Sequence, residues 1–266
     1  MHSYEGKWTL VTGAGRRGRV GADIARHFAE KGSDILLHFR SDQEEAVAVK
    51  EEIEKGVAGR SVQLISGDLT NRDDVAKLFT RITPDIVIHN AAIFEPATLD
   101  ASHSLTQRLE EVERAFTTNL DANLKAAHLV TEAAIHQLRK RKKTGVIVFV
   151  GDAFIEKGGT YPENLAAYTA SKAPLTALVR HYAHAYGKEG LRFIAVLNGP
   201  IEPPRSAPRE AVEKIASEIP LPKEKLNPWI GGAAVAQAID ALIQSGINGE
   251  GVAVDGGRSW TTSKEH

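Results

Sequence analysis

The sequence has no cysteine, which excludes disulfides, thiolate nucleophiles and cysteine-ligated metal sites and is compatible with a reducing compartment. It has no apolar run near the roughly 20 residues that a membrane helix needs, and residues 1–7 lack the apolar stretch of a signal peptide. It has no excess of one charge either, because 33 Lys and Arg residues balance 34 Asp and Glu residues at a net charge of -1. Without a global field, nucleic acid and membranes are not expected partners. We therefore predict a cytoplasmic protein that acts on a small molecule.

The composition itself, with 42% hydrophobic and 25% charged residues over 266 positions, is typical of a globular protein with a large core. Short apolar runs alternate with helical patterns, and no linker or repeat divides them. Strands are predicted at residues 8–11, 34–39, 61–65, 85–89, 145–150, 191–197 and 251–254. Continuous apolar strands between helices favour a parallel sheet covered on both faces. The predicted fold class is α/β: a single doubly wound Rossmann-type domain over residues 1–266, with about seven parallel strands.

A proline-rich segment, residues 200–228, lies between two structured regions. We predict that it is a substrate lid with a short helix near residues 208–218, although its composition fits an inert surface excursion equally well. Neither alternative adds a second domain, because the apolar runs continue on both sides of the segment.

A glycine-rich turn, residues 12–21, directly follows the first predicted strand and opens a helix. Glycines there permit a tight turn and a close approach of the backbone to a pyrophosphate, and the helix N-terminus offers unpaired N–H groups. The pattern predicts a dinucleotide site. The alternative is a turn that only requires positive φ.

The end of the second strand distinguishes the two nicotinamide cofactors. Where NAD-binding proteins usually place an acidic residue, this chain has Arg40 and Ser41. A guanidinium and a hydroxyl suit a 2′-phosphate, so they predict NADP(H). The alternative is a solvated Arg40 that pairs with Asp34 or Asp42. Further local positive charge comes from three arginines of the glycine-rich turn: Arg16, Arg17 and Arg19.

Tyr168 and Lys172 lie at the start of a long helical pattern after the fifth strand. A separation of four residues puts both on one helix face, where Lys172 is expected to lower the pKa of Tyr168 from about 10. A phenol tuned in this way can donate a proton. By itself the pair is an ordinary surface pair, but together with the glycine-rich turn it is the strongest catalytic candidate.

Several motifs follow one another in a specific order: Thr12-Gly13, Asp68-Leu69, Asn90-Ala91-Ala92, Asn119, Tyr168 with Lys172, Asn198-Gly199-Pro200, and Val254-Asp255-Gly256-Gly257. This ordered set resembles the short-chain dehydrogenase/reductase family over essentially the whole chain. The resemblance implies a nicotinamide-dependent oxidoreductase that needs no metal. It also implies a homotetramer built partly through helices four and five.

The cofactor-binding residues expected from the turn, the second strand and this resemblance are Gly13, Arg17, Val20, Gly21, Arg40, Ser41, Asp68, Leu69, Asn90, Ala91, Ala92, Tyr168, Lys172, Gly199 and Ile201. Within this set the resemblance places Asp68 at the adenine, and Gly199 and Ile201 beside the nicotinamide. It further implies that Asn119 joins a water relay to Lys172.

The chain departs from the family at three motifs, one of which is Asn198-Gly199 in place of the usual Pro-Gly after strand six. The glycine motif is longer than usual, which leaves open whether Gly18 or Gly21 faces the pyrophosphate. At the end of strand five, Asp152 occupies the place of the catalytic serine, 16 residues before Tyr168 and slightly farther from it than usual. An ionised aspartate only accepts hydrogen bonds, so it suits ring N–H donors, or a water carrying a proton to an imine, better than a carbonyl oxygen.

This aspartate makes the chain similar to the pteridine reductases, a branch of the family. The likeness extends to Arg17, to residues 38–41 and to Phe94, whose counterpart stacks a pterin against the nicotinamide. The catalytic candidates are Tyr168, Lys172, Asp152 and Asn119. The substrate-binding candidates are Arg17, Phe94, Asp152, Tyr161 and Tyr168.

Simpler interpretations of these residues stay open. Phe94 can be a hydrophobic plug, Tyr161 a surface residue, and Asp152 a helix cap whose hydrogen-bonding role passes to Thr160 or Tyr161. The predicted function is an NADPH-dependent reductase of a pteridine substrate. The alternatives are a carbonyl reductase of the 3-oxoacyl-carrier-protein or sugar-alcohol type and a non-catalytic NADP-sensing protein, which the presence of both Tyr168 and Lys172 disfavours.

Overall fold

The computed structural model describes residues 4–156, 158–159, 161–199 and 231–257, together with the single positions 210 and 213. Within these residues seven strands form one parallel sheet in the order β3-β2-β1-β4-β5-β6-β7. The strands are β1 (Trp8–Val11), β2 (Asp34–Phe39), β3 (Val62–Ser66), β4 (Ile86–His89), β5 (Gly145–Asp152), β6 (Leu191–Asn198) and β7 (Gly251–Val254). The predicted α/β fold with a parallel sheet is therefore confirmed.

The α-helices of the described residues are α1 (Val20–Glu30), α2 (Gln43–Gly56), α3 (Arg72–Leu78), α4 (Leu105–Asn119), α5 (Ala126–Lys140), α6 (Ala153–Glu156), α7 (Ala166–Lys172), α8 (Leu175–Tyr186) and α9 (Gly232–Ser245). One π-helical segment, Leu120–Lys125, joins α4 to α5. None of these helices is long and apolar enough to cross a membrane. The predicted lid, residues 200–228, and its short helix lie almost wholly outside the described residues.

Apolar side chains cover both faces of the sheet because consecutive strand residues point in opposite directions. On β1, Val11 belongs to a core cluster that includes residues of α1, α2 and α9. Its neighbour Leu10 belongs to a second cluster, with residues of α3, α5 and α8. Two helical layers thus bury the sheet from both sides, which is why the strands are nearly continuous apolar runs.

Polar residues fix the helix starts along the sheet's carboxyl edge. Asp42 accepts a hydrogen bond from the Glu45 amide at the start of α2, and Asn71 accepts two amides at the start of α3. Before α4, Ser104 and Gln107 form a reciprocal capping box. These caps fix where each loop above the sheet ends.

The strand order reverses between β1 and β4, because β1 connects onward to β2 on one side while β4 pairs with its other side. Loops that leave the carboxyl ends of these two strands diverge, and a crevice opens between them. In folds of this kind the crevice is where ligands bind.

Candidate active site

A cleft of about 190 Å³ opens at this crevice. Its lining comes from the first turn of α1, the loop after β4, the end of β5, α7 and the end of β6. The lining residues are Val20, Asn90, Ala92, Ile93, Phe94, Val150, Gly151, Tyr168, Lys172 and Asn198. Sequence motifs that lie far apart in the chain therefore meet at one place.

Three glycines of the turn after β1 have different physical roles. Gly13 has φ of +66°, and a Cβ there would lie 2.8 Å from the Cα of Ala91. A Cβ on Gly21 would lie 2.6 Å from the Gly13 carbonyl oxygen, whereas Gly18, at φ +63°, faces open space. Gly13 and Gly21 are thus required by close packing, and Gly18 is the one whose backbone is open to a ligand.

Thr12 and Asn90 tie this turn to the loop after β4. The hydroxyl of Thr12 accepts hydrogen bonds from the amides of Asn90 (3.1 Å) and Ala91 (3.0 Å). The Asn90 side chain in turn donates to the carbonyls of Thr12 (3.0 Å) and Gly13 (3.2 Å). The two loops that border the crevice are therefore held as one rigid unit.

His38, near the end of β2, links this unit to the loop after β3, a role that was not predicted from the sequence. Its Nδ1 accepts from the Gly13 amide at 3.2 Å, and its Nε2 lies 3.0 Å from the Gly67 carbonyl. Both bonds form together only if the ring is neutral and carries its proton on Nε2. Burial lowers the pKa of His38, which favours that neutral form.

Arg40 and Ser41 are exposed just beyond the end of β2. Among the described residues Arg40 forms no salt bridge, because both carboxylates that were candidate partners have other roles. Asp34 accepts from the Ser61 amide, and Asp42 caps α2. The Arg40 side chain is thus available to a phosphate, as a 2′-phosphate site requires.

Arg17 lies in the same turn but is bound to α2. Its guanidinium donates to both carboxylate oxygens of Glu45, at 2.7 and 3.3 Å, and its amide donates to the same carboxylate. To reach a cofactor phosphate and a substrate, as predicted, Arg17 would have to leave Glu45. Its assignment to both sites stays a prediction.

Asp68 and Leu69 follow β3 on the adenine side of the predicted site. Oδ1 of Asp68 accepts from the amide and the hydroxyl of Thr70, at 2.9 and 2.8 Å. These bonds and the charge of Arg40 lower the pKa of Asp68. The hydrogen bonds within the described residues leave Oδ2 of this anion available to an N–H donor, and Leu69 beside it is buried.

The described residues fit a nicotinamide dinucleotide with a 2′-phosphate. The open backbone of Gly18 precedes α1, and the Arg40 guanidinium, which has no salt bridge within these residues, follows β2. The Asp68 carboxylate, with one oxygen available, follows β3. Ala91 and Ala92 border the crevice between these groups. Gly199 packs closely against Asp255, because a Cβ on Gly199 would lie 2.5 Å from the Asp255 Cα. Ile201, predicted beside Gly199, lies outside the described residues.

Asp152, at the end of β5, is the hydrogen-bond acceptor for the Tyr168 hydroxyl and for three other donors. Its Oδ1 accepts the amides of Phe154 (3.0 Å) and Ile155 (3.2 Å), so it caps the short helix α6. Its Oδ2 accepts the hydroxyls of Tyr161 (3.0 Å) and Tyr168 (3.1 Å). The residue is a helix cap and a partner of the phenols at once, while Thr160 lies outside the described residues.

The longer separation between Asp152 and Tyr168 does not keep them apart. The described part of the intervening chain contains α6 and a 3-10 turn, Glu163–Leu165, before α7 begins. This detour returns Tyr168 to the end of β5. A longer connection therefore still gives a direct contact between the carboxylate and the phenol.

Burial and the Asp152 carboxylate raise the pKa of Tyr168 above its ordinary value of 10.0. This is opposite to the lowering expected from Lys172, because a phenol that donates to a carboxylate resists losing its proton. Lys172 itself is buried and donates to the Val150 carbonyl at 3.2 Å. Burial lowers the pKa of Lys172 to about 8, against the opposing charge of Asp152.

Phe94 is not a buried plug, because 55% of its surface is exposed. Its ring packs edge-on against Tyr168, with centroids 4.7 Å apart, and against Tyr161 at 6.2 Å. Tyr161 packs in turn against Tyr168 at 5.7 Å. An exposed ring of this kind offers an apolar face to a flat ligand in the cleft.

Two asparagines of the α4–α5 region have different partners. The Asn119 side chain donates to the carbonyls of Glu95 (2.7 Å) and Ala115 (2.8 Å), within the loop after β4 and α4. Asn123, in the π-helical segment, donates to the Ser171 hydroxyl at 2.9 Å, next to Lys172. Asn123 was not predictable from the sequence, because nothing in its local pattern distinguishes it from Asn119.

Comparison with known proteins identifies the class to which this fold and cleft belong. The family model described as enoyl-(acyl carrier protein) reductase matches residues 13–259. The chain belongs to the short-chain dehydrogenase/reductase family of oxidoreductases, whose members use nicotinamide cofactors.

Individual relatives align over nearly their whole length. The chain is 30% identical to an L-rhamnose 1-dehydrogenase (NAD(P)+) of a Sphingomonas species, over 97% of this chain and 98% of that one. It is 29% identical to a 3beta-hydroxysteroid dehydrogenase of Eggerthella lenta, over 95% and 94%. It is 27% identical to a 3-oxoacyl-acyl-carrier-protein reductase of Staphylococcus aureus, over 94% and 97%.

Proposed function

We propose that the protein is a cytoplasmic, NADPH-dependent reductase that transfers hydride to a pteridine of the dihydropteridine or dihydrofolate type. The observation that carries this proposal is the carboxylate of Asp152, which is 7% exposed and accepts hydrogen bonds from two phenols beside the open ring of Phe94. A carboxylate at this place binds N–H donors, and an aromatic wall suits a flat heterocycle. Both features match a pteridine ring.

The proposed cofactor preference rests on Arg40. Its exposed guanidinium has no salt bridge within the described residues and can meet a 2′-phosphate. When bound, NADPH supplies the hydride, and the chain supplies position and charge. Lys172 would hold the ribose, and its ammonium would balance negative charge left on the phenol.

In the proposed reaction Tyr168 donates its proton, directly or through a water, to the substrate atom that becomes basic as the hydride arrives. Asp152 orients the substrate through its ring N–H groups, and Phe94 covers one face of the ring. An ionised Asp152 would repel a carbonyl oxygen at the same place, so a C=N bond suits the site better than an isolated ketone.

A second candidate is a carbonyl reductase of the 3-oxoacyl-carrier-protein or sugar type. The names of the relatives favour it, because they include a 3-oxoacyl-acyl-carrier-protein reductase and an L-rhamnose dehydrogenase. A non-catalytic NADP sensor is less well supported, since it has no use for the buried Lys172 beside Tyr168.

Replacing Asp152 with serine distinguishes the two reductases. We expect Asp152→Ser to lower kcat/KM for dihydrobiopterin by about 100-fold, the cost of a lost charge-assisted hydrogen bond to the substrate, and to lower it much less for an acetoacetyl thioester. NADPH oxidation measured with both substrates gives the two ratios.

The matched control is Asp240→Ser. Asp240 is also a buried carboxylate that accepts a phenol, from Tyr4 at 2.6 Å, but it lies on α9, away from the cleft. Its replacement should lower thermal stability and leave the ratio of the two activities unchanged. Equal losses on both substrates in Asp152→Ser would show that Asp152 does not select the pteridine.

We also propose a homotetramer built partly through α4 and α5. Four large apolar side chains of α4 are exposed at helical spacing, a pattern typical of a helix that packs on another chain. They are Leu105, Leu109, Val112 and Phe116. Light scattering should give four times the 28.8 kDa mass of the chain, and Leu109→Glu should give a smaller species whereas the exposed Arg108→Glu should not. A monomeric wild-type protein would contradict the assembly.

A further inference from the structure

We infer that Tyr161 is a positioning residue for the proton transfer, acting through Asp152 so that Tyr168 is free to turn toward the substrate. The inference rests on the proposed function, because it explains how the proton donor of that reaction is released. It starts from the two phenols that share one carboxylate oxygen.

The Asp152 carboxylate is fixed before any substrate binds. Two amides of α6 hold Oδ1, and the carboxylate cannot turn without breaking that cap. Oδ2 accepts the hydroxyls of Tyr161 and Tyr168 at 3.0 and 3.1 Å, and Tyr168 lines the cleft. The carboxylate therefore has four donors, two for each oxygen.

The Tyr168 hydroxyl carries one proton and can donate one hydrogen bond. It can donate this proton to Asp152, as in the structure, or to a substrate atom in the cleft, but not to both at full strength. When it turns to the substrate, Oδ2 of a buried carboxylate loses one donor. Tyr161 keeps one donor on that oxygen until a ring N–H of the substrate reaches it, so the turn does not leave an unpaired buried charge.

The proton balance of the step is simple. The O–H bond of Tyr168 breaks and a new O–H or N–H bond forms on the substrate, while the hydride comes from NADPH. The negative charge that remains on the phenol would be balanced by the Lys172 ammonium, which lines the same cleft. Tyr161 and Asp152 end the step with the protons they had at its start, so Tyr161 assists without being consumed.

Packing allows the Tyr161 hydroxyl to be tested by itself. The Tyr161 ring contacts the rings of Phe154 (5.2 Å between centroids), Phe94 and Tyr168 at steep angles. Phenylalanine would keep these ring contacts and remove only the hydroxyl. A matched control is Tyr182→Phe, because the Tyr182 hydroxyl also donates to a carboxylate, that of Glu132 at 2.8 Å, but on α5 and α8.

In Tyr161→Phe we expect kcat with dihydrobiopterin to fall by about 10-fold to 100-fold, with little change in KM, because one hydrogen bond to a buried anion is lost when Tyr168 turns. Tyr182→Phe should change neither quantity.

A second readout does not depend on turnover. Infrared spectra of the protein without substrate should show the Asp152 carboxylate stretching band at a different frequency in Tyr161→Phe than in the wild type, because one hydrogen bond to Oδ2 is lost. An unchanged kcat in Tyr161→Phe, whatever the infrared band shows, would overturn the inference and leave the proposed function standing. If the wild type reduces no pteridine, the proposed function fails, and an unshifted carboxylate band in Tyr161→Phe would then also refute the Tyr161–Asp152 coupling.

Discussion

Replacing Tyr168 with phenylalanine is expected to lower kcat for pteridine reduction by about 10³-fold, the typical contribution of a positioned general acid. The ring contacts with Phe94 and Tyr161 stay, so the variant should fold, and its loss of NADPH affinity should be small beside the loss of kcat. Stopped-flow NADPH oxidation measures the chemical step, and protein fluorescence measures cofactor binding. Tyr186→Phe, on α8, is the control and should keep the wild-type rate.

The size of this effect follows from where Tyr168 is held. It lies in the cleft with its hydroxyl 3.1 Å from Asp152 and its pKa raised by burial and by that carboxylate. A phenol with a high pKa keeps its proton until a strong base forms nearby, which couples proton donation to the arrival of the hydride. A variant that retains more than a tenth of the wild-type kcat would mean that another group donates the proton.

Replacing Arg40 with aspartate is expected to shift the ratio of NADPH to NADH affinity by about 100-fold or more toward NADH. The change removes a cation that a 2′-phosphate can bind and puts a like charge in its place, whereas a carboxylate can accept from the 2′-hydroxyl of NADH. Dissociation constants for both cofactors, measured by fluorescence titration at one salt concentration, test it.

The control for this charge change is Arg141→Asp. Arg141 is also exposed and forms no salt bridge within the described residues, but it follows α5 on another side of the protein. Its replacement should leave both dissociation constants unchanged. An unchanged cofactor preference in Arg40→Asp would refute the assignment of Arg40 to a 2′-phosphate and would favour the interpretation of a solvated surface arginine.

The fold was predictable because the sheet is buried on both sides. Strands such as β2 and β4 are short apolar runs whose alternation with helices has few alternative arrangements. The strand ends were less predictable. The structure extends β5 and β6 to Asp152 and Asn198, which pair with each other, because backbone pairing continues past the last apolar residue.

The placement of Tyr168 and Lys172 in one cleft was predictable from their spacing, and the contact between Asp152 and Tyr168 from motif order. The direction in which the pKa of Tyr168 shifts was not predictable, because it depends on which charge lies nearest to the phenol in space. Two hydrogen bonds were also not predictable from the sequence, that of Arg17 to Glu45 and that of His38 to Gly13. Each joins chain segments that share no local pattern. Contacts of this kind emerge only when strand ends assemble.

The most direct test of the account is NADPH oxidation by the wild-type protein with dihydrobiopterin, measured beside dihydrofolate and an acetoacetyl thioester. We expect turnover of a pteridine with NADPH, slower turnover with NADH, and weaker activity on the thioester. Turnover of the thioester alone, or NADPH binding without turnover of any of the three, would contradict it.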